Sequence, residues 1–234
     1  MVTGFLAKSD GRDKLLATVQ YACMFIAAGS AGDATKIQKS VAQARKAFRI
    51  LRPLDALAPL LQSGLAVSGP PPIVVAKNLR PVFMASYFLF DHVGWAAGAG
   101  LVTDKKTIEK CQKISTYSWL LGSLSTVTIE LHALTRPVPS VETSAEKEAR
   151  RATDRATLLR LVHALVQAGL AAGLLGIGGA WPARRTAALG VAASAINCYM
   201  LLPPRPAKTS GVVVQGGSST RGSSSESAGG KKNQ

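Results

Sequence analysis

The two cleanest apolar runs in the chain, Leu161 to Trp181 and Thr186 to Leu202, carry hardly a charge between them. Each approaches the ~20 residues a helix needs to cross the ~30 Å hydrocarbon core of a bilayer. Pro182, Ala183, Arg184 and Arg185 make a tight connection between the runs, so residues 158–204 are expected to fold as a transmembrane helical hairpin. A hairpin returns the chain to the side it left. Arg150, Arg151, Arg155 and Arg160 before it, with Arg205 and Lys208 after it, outnumber the arginines of the turn. The positive-inside rule therefore favours cytosolic termini.

Composition agrees with a membrane protein. The 234 residues are 47% hydrophobic and 18% charged, on the apolar side for a soluble chain. The net charge of +15 calls for an acidic partner, which charge alone leaves open between anionic lipid, nucleic acid and an acidic protein face. Cys23, Cys111 and Cys198 are scattered without CxxC or Cys/His spacing, so reduced thiols are expected and neither a disulfide framework nor a metal site is. The first residues, MVTGFLAKSDGRDK, lack the apolar core of a secretory signal.

Two further apolar stretches are interrupted by ionisable groups: Val82 to Val102 by Asp91 and His92, and Tyr117 to Leu134 by Glu130 and His132. A central aspartate costs about 2.5–3.5 kcal/mol on insertion scales, so the first stretch either supplies Asp91 with a partner or does not span. Adjacent residues on a helix point about 100° apart, which removes Asp91 and His92 as a facing pair. Asp91 is read as a structural group bonded to a neighbouring helix. Residues 82–134 are thus expected to be apolar helices, spanning or lying in the membrane.

The N-terminal residues 1–67 read as amphipathic and helical. Leu15, Val19, Ala22 and Ile26 share one face of a helix over Asp13 to Ala28, with Ser9 or Asp10 as cap, and Gly29 to Gly32 breaks it. From Lys36 to Leu61 the pattern resumes. Ile37, Val41, Ala44, Phe48 and Leu51 fall within about 80° on the helical wheel, Lys39, Lys46 and Arg49 occupy the opposite arc, and Arg45 and Arg52 flank the stripe. Six of the seventeen residues from Lys36 to Arg52 are basic. That pattern suits a helix lying on an anionic surface, its arginines among headgroups and its apolar edge in the acyl boundary, although a helix packed on its neighbours shows the same period. Pro53 ends or kinks it, and Leu54, Leu57, Leu60 and Leu61 extend the apolar face.

The SGPPP stretch marks a Pro-rich hinge over 68–81, residues 135–157 form a charged linker or exposed helix start, and 205–234 is a Gly/Ser-rich flexible tail. Gly169 and Gly173, like Gly94 and Gly98, have the spacing that lets helix backbones approach and would serve self-association. His163 has no second ligand at i+3 or i+4 and is read as a packing or interfacial residue. The terminal Lys231-Lys232-Asn233-Gln234 fits the dilysine pattern that coat proteins recognise on cytosolic tails, or serves solubility alone. No nucleophile elbow, zinc-protease, phosphate-loop or dinucleotide motif is present, so no catalytic residue, no cofactor and no enzymatic activity are expected.

Several stretches, in order over about 200 residues, resemble the peroxin-11 family of plant or algal type: GRDKLLATVQYACMF (Gly11 to Phe25), QARKAFRILRPLDAL (Gln43 to Leu57), FLFDHVGWAAGAGLV (Phe88 to Val102), KISTYSWLLGSL (Lys113 to Leu124) and ALGVAASAINCYMLLPPRP (Ala188 to Pro206). The spacing of Asp91 and Trp95 is similar to the family's Asp-x-x-x-Trp signature. The SGPPP insertion and the Gly/Ser tail depart from its pattern. The resemblance implies an all-α integral protein of the peroxisomal membrane with cytosolic termini, self-association, and recruitment of a fission adaptor and a dynamin-related GTPase. It further implies that the Lys36 to Leu61 segment inserts into one leaflet and bends it, in elongation, fission and proliferation of the organelle. A rival reading is a pore or metabolite channel lined by Asp91, Glu130 and His132. Nucleic acid is not expected as a partner, since the basic residues share a helix with an apolar stripe and lack interleaved aromatic platforms.

Overall fold

Stretches rich in Ala, Leu and Ser, with no sustained two-residue alternation, have helix as their natural outcome. The computed structural model describes residues 9–138 and 140–202, and the secondary structure among them is helical. The helices are α1 (Ser9–Ala27), α2 (Asp33–Ala47), α3 (Arg52–Ser63), α4 (Pro71–Gly98), α5 (Lys105–Leu134), α6 (Ser144–Leu175) and α7 (Ala183–Leu201). Local chemistry sets their ends. The Asp104 carboxylate accepts from the backbone N–H groups of Lys106 and Thr107 at 3.3 and 3.1 Å and starts α5. Thr143 and Glu146 form a reciprocal capping box that starts α6, and Gly176, left-handed at φ 69°, stops it.

Several boundaries differ from the sequence expectation. The Lys36 to Leu61 segment is two helices, and the break falls at Phe48–Leu51, one turn before Pro53, which instead occupies the first turn of α3 where its missing N–H costs nothing. Helix α4 begins at Pro71, so most of the expected hinge at 68–81 is helical for the same reason. The charged residues from Ser144 onward are the first turns of α6. The connection between α6 and α7 lies at 176–182, with Arg184 and Arg185 inside the first turn of α7. Ser9 and Asp10 lie inside α1 and do not cap it from outside.

Packing closes a ring in which α4 meets α5, α5 meets α6, α6 meets α7, α7 meets α1, α1 meets α2, and α2 returns to α4; α3 lies on α4. Buried positions are mostly small: Ala17, Ala76, Ala85, Ala164, Ala168, Ala171, Ala187 and Ala193, with Ser115, Ser118, Ser123 and Ser194. Leu, Val and Ile line the outside, including Val75, Leu79, Leu89, Leu121, Leu158 and Leu165. Small residues inside and branched apolar residues outside are the arrangement of a bundle solvated by lipid, where close backbone approach rather than water exclusion drives association. Two helices, α4 and α6, are long and apolar enough to cross a membrane, and only 22% of either apolar window is buried in protein. A soluble core helix would hide most of that window. The second arm of the expected hairpin, α7, does not meet the same test among the described residues.

Glycines allow the closest approaches. A Cβ at Gly173 would lie 2.9 Å from Trp181 Cε3 and 3.2 Å from Thr186 Oγ1, whereas one at Gly169 would meet Leu189 Cδ1 at an ordinary 3.5 Å. Both glycines therefore face α7 of the same chain. Gly173→Val is expected to destabilise the protein by about 1–3 kcal/mol through overpacking, and Gly169→Ala by much less. Thermal unfolding in detergent, followed by circular dichroism, separates the two.

Candidate functional site

The apolar stripe of α2 and the following turn faces outward. Ile37 is 48% exposed, Phe48 42% and Leu51 69%; Ala44 is also exposed and Val41 is half-buried. Leu54 and Leu61 continue the edge along α3, while Leu57 and Leu60 are half-buried. Lys36 and Lys39 are exposed beside it, Lys36 pairing with Asp33 at 2.9 Å. The segment thus presents a continuous outward edge of branched and aromatic side chains with lysines at its start.

The arginines do the opposite of what the wheel suggests. Arg45 and Arg49 are buried, and their guanidinium groups meet the carboxylate of Asp13, itself 1% exposed. Arg45 Nε and Arg49 Nε donate to Asp13 Oδ1 at 3.1 and 3.2 Å, Arg49 Nη2 donates to Oδ2 at 3.4 Å, and Lys14 Nζ lies 3.4 Å from Oδ2. Arg45 Nη1 also donates to Gln20 Oε1 at 2.5 Å, and Arg49 Nη1 to the Tyr87 hydroxyl at 2.8 Å. Arg52 is half-buried, paired with Asp10 and lying over the Phe88 ring at 5.9 Å from its centroid. Of the residues expected to hold headgroups, Arg45 and Arg49 are therefore engaged inside the protein. Pulling either guanidinium away from the Asp13 carboxylate of α1 would leave an uncompensated buried charge.

The Asp91 and Trp95 signature serves the same interface from α4. Asp91 Oδ1 lies 3.8 Å from Lys46 Nζ and Asp91 Oδ2 lies 3.6 Å from Arg49 Nη1. His92 Nε2 is 3.0 Å from the Arg49 carbonyl oxygen, and Gln43 Nε2 donates to the Trp95 carbonyl at 2.7 Å. Gly94 and Gly98 face Lys46 and Gln43, so this glycine pair opens α4 to α2. Asp91 is ion-paired to a neighbouring segment, as the cost of an isolated carboxylate demands. Its Oδ2 is buried with no hydrogen-bond partner, since Arg49 Nη1 is directed to Tyr87.

Pattern reading missed Asp13, Gln20, Gln43 and Tyr87, and took Asp10 for a helix cap where it pairs with Arg52. A signal existed: Asp10 and Asp13 are spaced i, i+3 on one helix, and Arg45, Arg49 and Arg52 are spaced i, i+4, i+7 on the next. Antiparallel packing brings the two sets level. His163 lies 3.0 Å from Gln167 Nε2 one turn along α6. Lys231 and Lys232 lie outside the described residues.

The ring lines a partly open cavity of about 90 Å³ to which every one of its six helices contributes, with Lys14, Arg45, Arg49, Tyr87, Trp119 and Gln167 in its wall. Asp91, Glu130 and His132 are not in that wall. Glu130 instead accepts from Arg160 Nε at 2.9 Å on α6. The three groups expected to line a pore do not converge.

A ring of helices with an inside-out side-chain distribution and an outward apolar edge defines the class as a helical membrane protein. The family model described as "Peroxisomal biogenesis factor 11 (PEX11)" matches residues 1–202, and the chain belongs to that family. The chain is similar to Peroxisomal membrane protein 11D and Peroxisomal membrane protein 11E of Arabidopsis thaliana, each 29% identical over 88% of this chain and 92% and 93% of the relative. It is also similar to Peroxisomal membrane protein 11-1 of Oryza sativa subsp. japonica, 29% identical over 88% of this chain and 92% of the relative. No solved structure matches the chain.

Burial pushes the Asp13 carboxyl up, but Arg49, Lys14 and Arg45 together outweigh it and hold the group well below the usual carboxylate value of 3.8. A depressed folded pKa stabilises the fold at all pH above the unfolded value and loses that contribution as pH falls through the folded one. Asp13→Ala strands two buried guanidinium groups and is expected to cost about 3–5 kcal/mol. Unfolding of the wild type should show no Asp13-dependent change between about pH 5 and 8, and the difference between wild type and Asp13→Ala should shrink only in strong acid. Melting curves of both proteins across pH check this.

Proposed function

We propose that this chain is an integral peroxisomal membrane protein that binds and remodels its membrane through the α2–α3 edge, promoting elongation, fission and proliferation of peroxisomes. The observation that carries the reading is the outward line of Ile37, Ala44, Phe48, Leu51, Leu54 and Leu61 on a segment whose arginines are anchored inward. Family membership and relatives named as peroxisomal membrane proteins support the compartment.

The physical mechanism follows from which groups can leave water. Each large apolar side chain moved from water into the acyl boundary contributes about 1.5–3 kcal/mol. Four or five such side chains enter one leaflet and expand it relative to the other, which favours positive curvature. Exposed Lys36 and Lys39 supply attraction to anionic headgroups, each worth about 1 kcal/mol near the surface. The buried arginines contribute by fixing α2 to α1 and α4, so that the insertion is transmitted to a bundle anchored by α4 and α6. A wedge on a tether would rotate away; one locked by ion pairs holds its depth.

In this reading the termini are cytosolic, copies self-associate to concentrate the wedges, and a fission adaptor with a dynamin-related GTPase completes scission. The C-terminal Lys231 and Lys232 are proposed as a coat-protein recognition signal.

Phe48→Asp and Leu51→Asp should leave the helical content unchanged, because both side chains are outside the packed interior, and should weaken partitioning of the segment into anionic vesicles by at least about tenfold. Lys36→Ala or Lys39→Ala alone should have a smaller effect. Vesicle co-flotation and electron microscopy of tubulation read both. Equal tubulation by wild type and Phe48→Asp sinks the mechanism.

A further inference from the structure

The cavity at the centre of the ring presents a charge that the protein does not balance. Lys14, Arg45 and Arg49 line it, and neither Asp13 nor Asp91 does. In the surrounding cluster five cations, Lys14, Arg45, Lys46, Arg49 and Arg52, share three carboxylates, Asp10, Asp13 and Asp91. Among the described residues no other carboxylate lies within ion-pair distance of these cations. Excess positive charge inside a bundle is costly unless an anion joins it, and water filling the same volume would not neutralise it.

We propose that this cavity binds a phosphate-class oxyanion, held by Lys14, Arg45 and Arg49. Size, wall chemistry and sign all select that ligand. The volume of about 90 Å³ is that of roughly three waters, enough for one tetrahedral oxyanion. Hydroxyls of Tyr21 and Tyr87 and the Asn197 amide add donors to the cationic wall. The Asn197 side chain has no hydrogen-bond partner among the described residues, so its amide is available to a ligand. A cation would meet three like charges, and an acyl chain would leave them unsolvated. Two guanidinium side chains and one ammonium side chain in the wall of one small volume suit an acceptor-only group, which a phosphate or phosphodiester is. Such an anion would brace α1, α2, α4 and α7 at one level, the level that fixes the α2 edge. It reaches the site either as free phosphate or as the headgroup of an anionic lipid.

The test uses the full-length chain in nanodiscs of neutral lipid, with the unfolding midpoint titrated by inorganic phosphate at constant ionic strength and by chloride as control. A parallel arm places phosphatidic acid in the nanodisc. A saturable rise with phosphate identifies the free ion, and a rise confined to the phosphatidic acid arm identifies the headgroup; either supports the site. Asn197→Leu is nearly isosteric and removes the amide donor without touching an ion pair, and Lys14→Gln removes one cation. In whichever of these folds, the apparent affinity should fall about tenfold or more. No saturable rise in either arm, a rise equalled by chloride, or an unchanged response in both variants overturns the proposal.

Discussion

The carboxylate of Asp13, held by Arg45 and Arg49, is the interaction on which the rest of this structure depends. It joins α1 to α2 and to the turn after it, and Arg49 extends the contact through Tyr87 and Asp91 to α4. Arg52 and Asp10 repeat the α1 connection one turn away. Without that cluster the six-membered ring would lack the α1–α2 closure, because small residues elsewhere in the bundle give close packing but little orientation. Ion pairs supply the orientation, as buried charges that must meet specific partners fix register more sharply than methyl groups do.

That same closure explains how an amphipathic helix can be turned apolar side out. Burying guanidinium groups is affordable only where carboxylates wait for them, and once they are buried the opposite face, Ile37, Ala44 and Phe48, has nowhere to point but outward. In water such an edge would favour aggregation; against a bilayer it is an anchor. The exterior of α4 and α6 follows the same logic on a larger scale, with branched side chains outward and Ala, Gly and Ser inward. The family to which the chain belongs is one of peroxisomal biogenesis, and the geometry offers a physical route by which such a protein acts on its membrane.

Much of this was legible in the chain. The all-helical character, the break at Gly29 to Gly32 and the need of Asp91 for a partner follow from period, glycine chemistry and the cost of a lone charge in an apolar run. The destination of the arginines was not legible, because a long cationic side chain flanking an apolar stripe satisfies equally a lipid phosphate above it or a protein carboxylate behind it. Nor was the exact place of the division, Phe48–Leu51, one turn ahead of the break that Pro53 marks in the sequence. There the chain turns so that Arg49 meets Asp13 and Arg52 meets Asp10 together, a demand of tertiary pairing and not of local propensity.

Sequence by itself determined the elements and their solvent: helices from composition and period, and a membrane setting from apolar runs too long for a soluble core of this size. Tertiary structure decided the partners. It assigned Gly169 and Gly173 to α7 of the same chain, and drew Arg45 and Arg49 inward to Asp13. The reason is range. Helical period and residue chemistry act within a few residues, whereas an ion pair between positions 13 and 49 exists only when two helices have already been brought face to face.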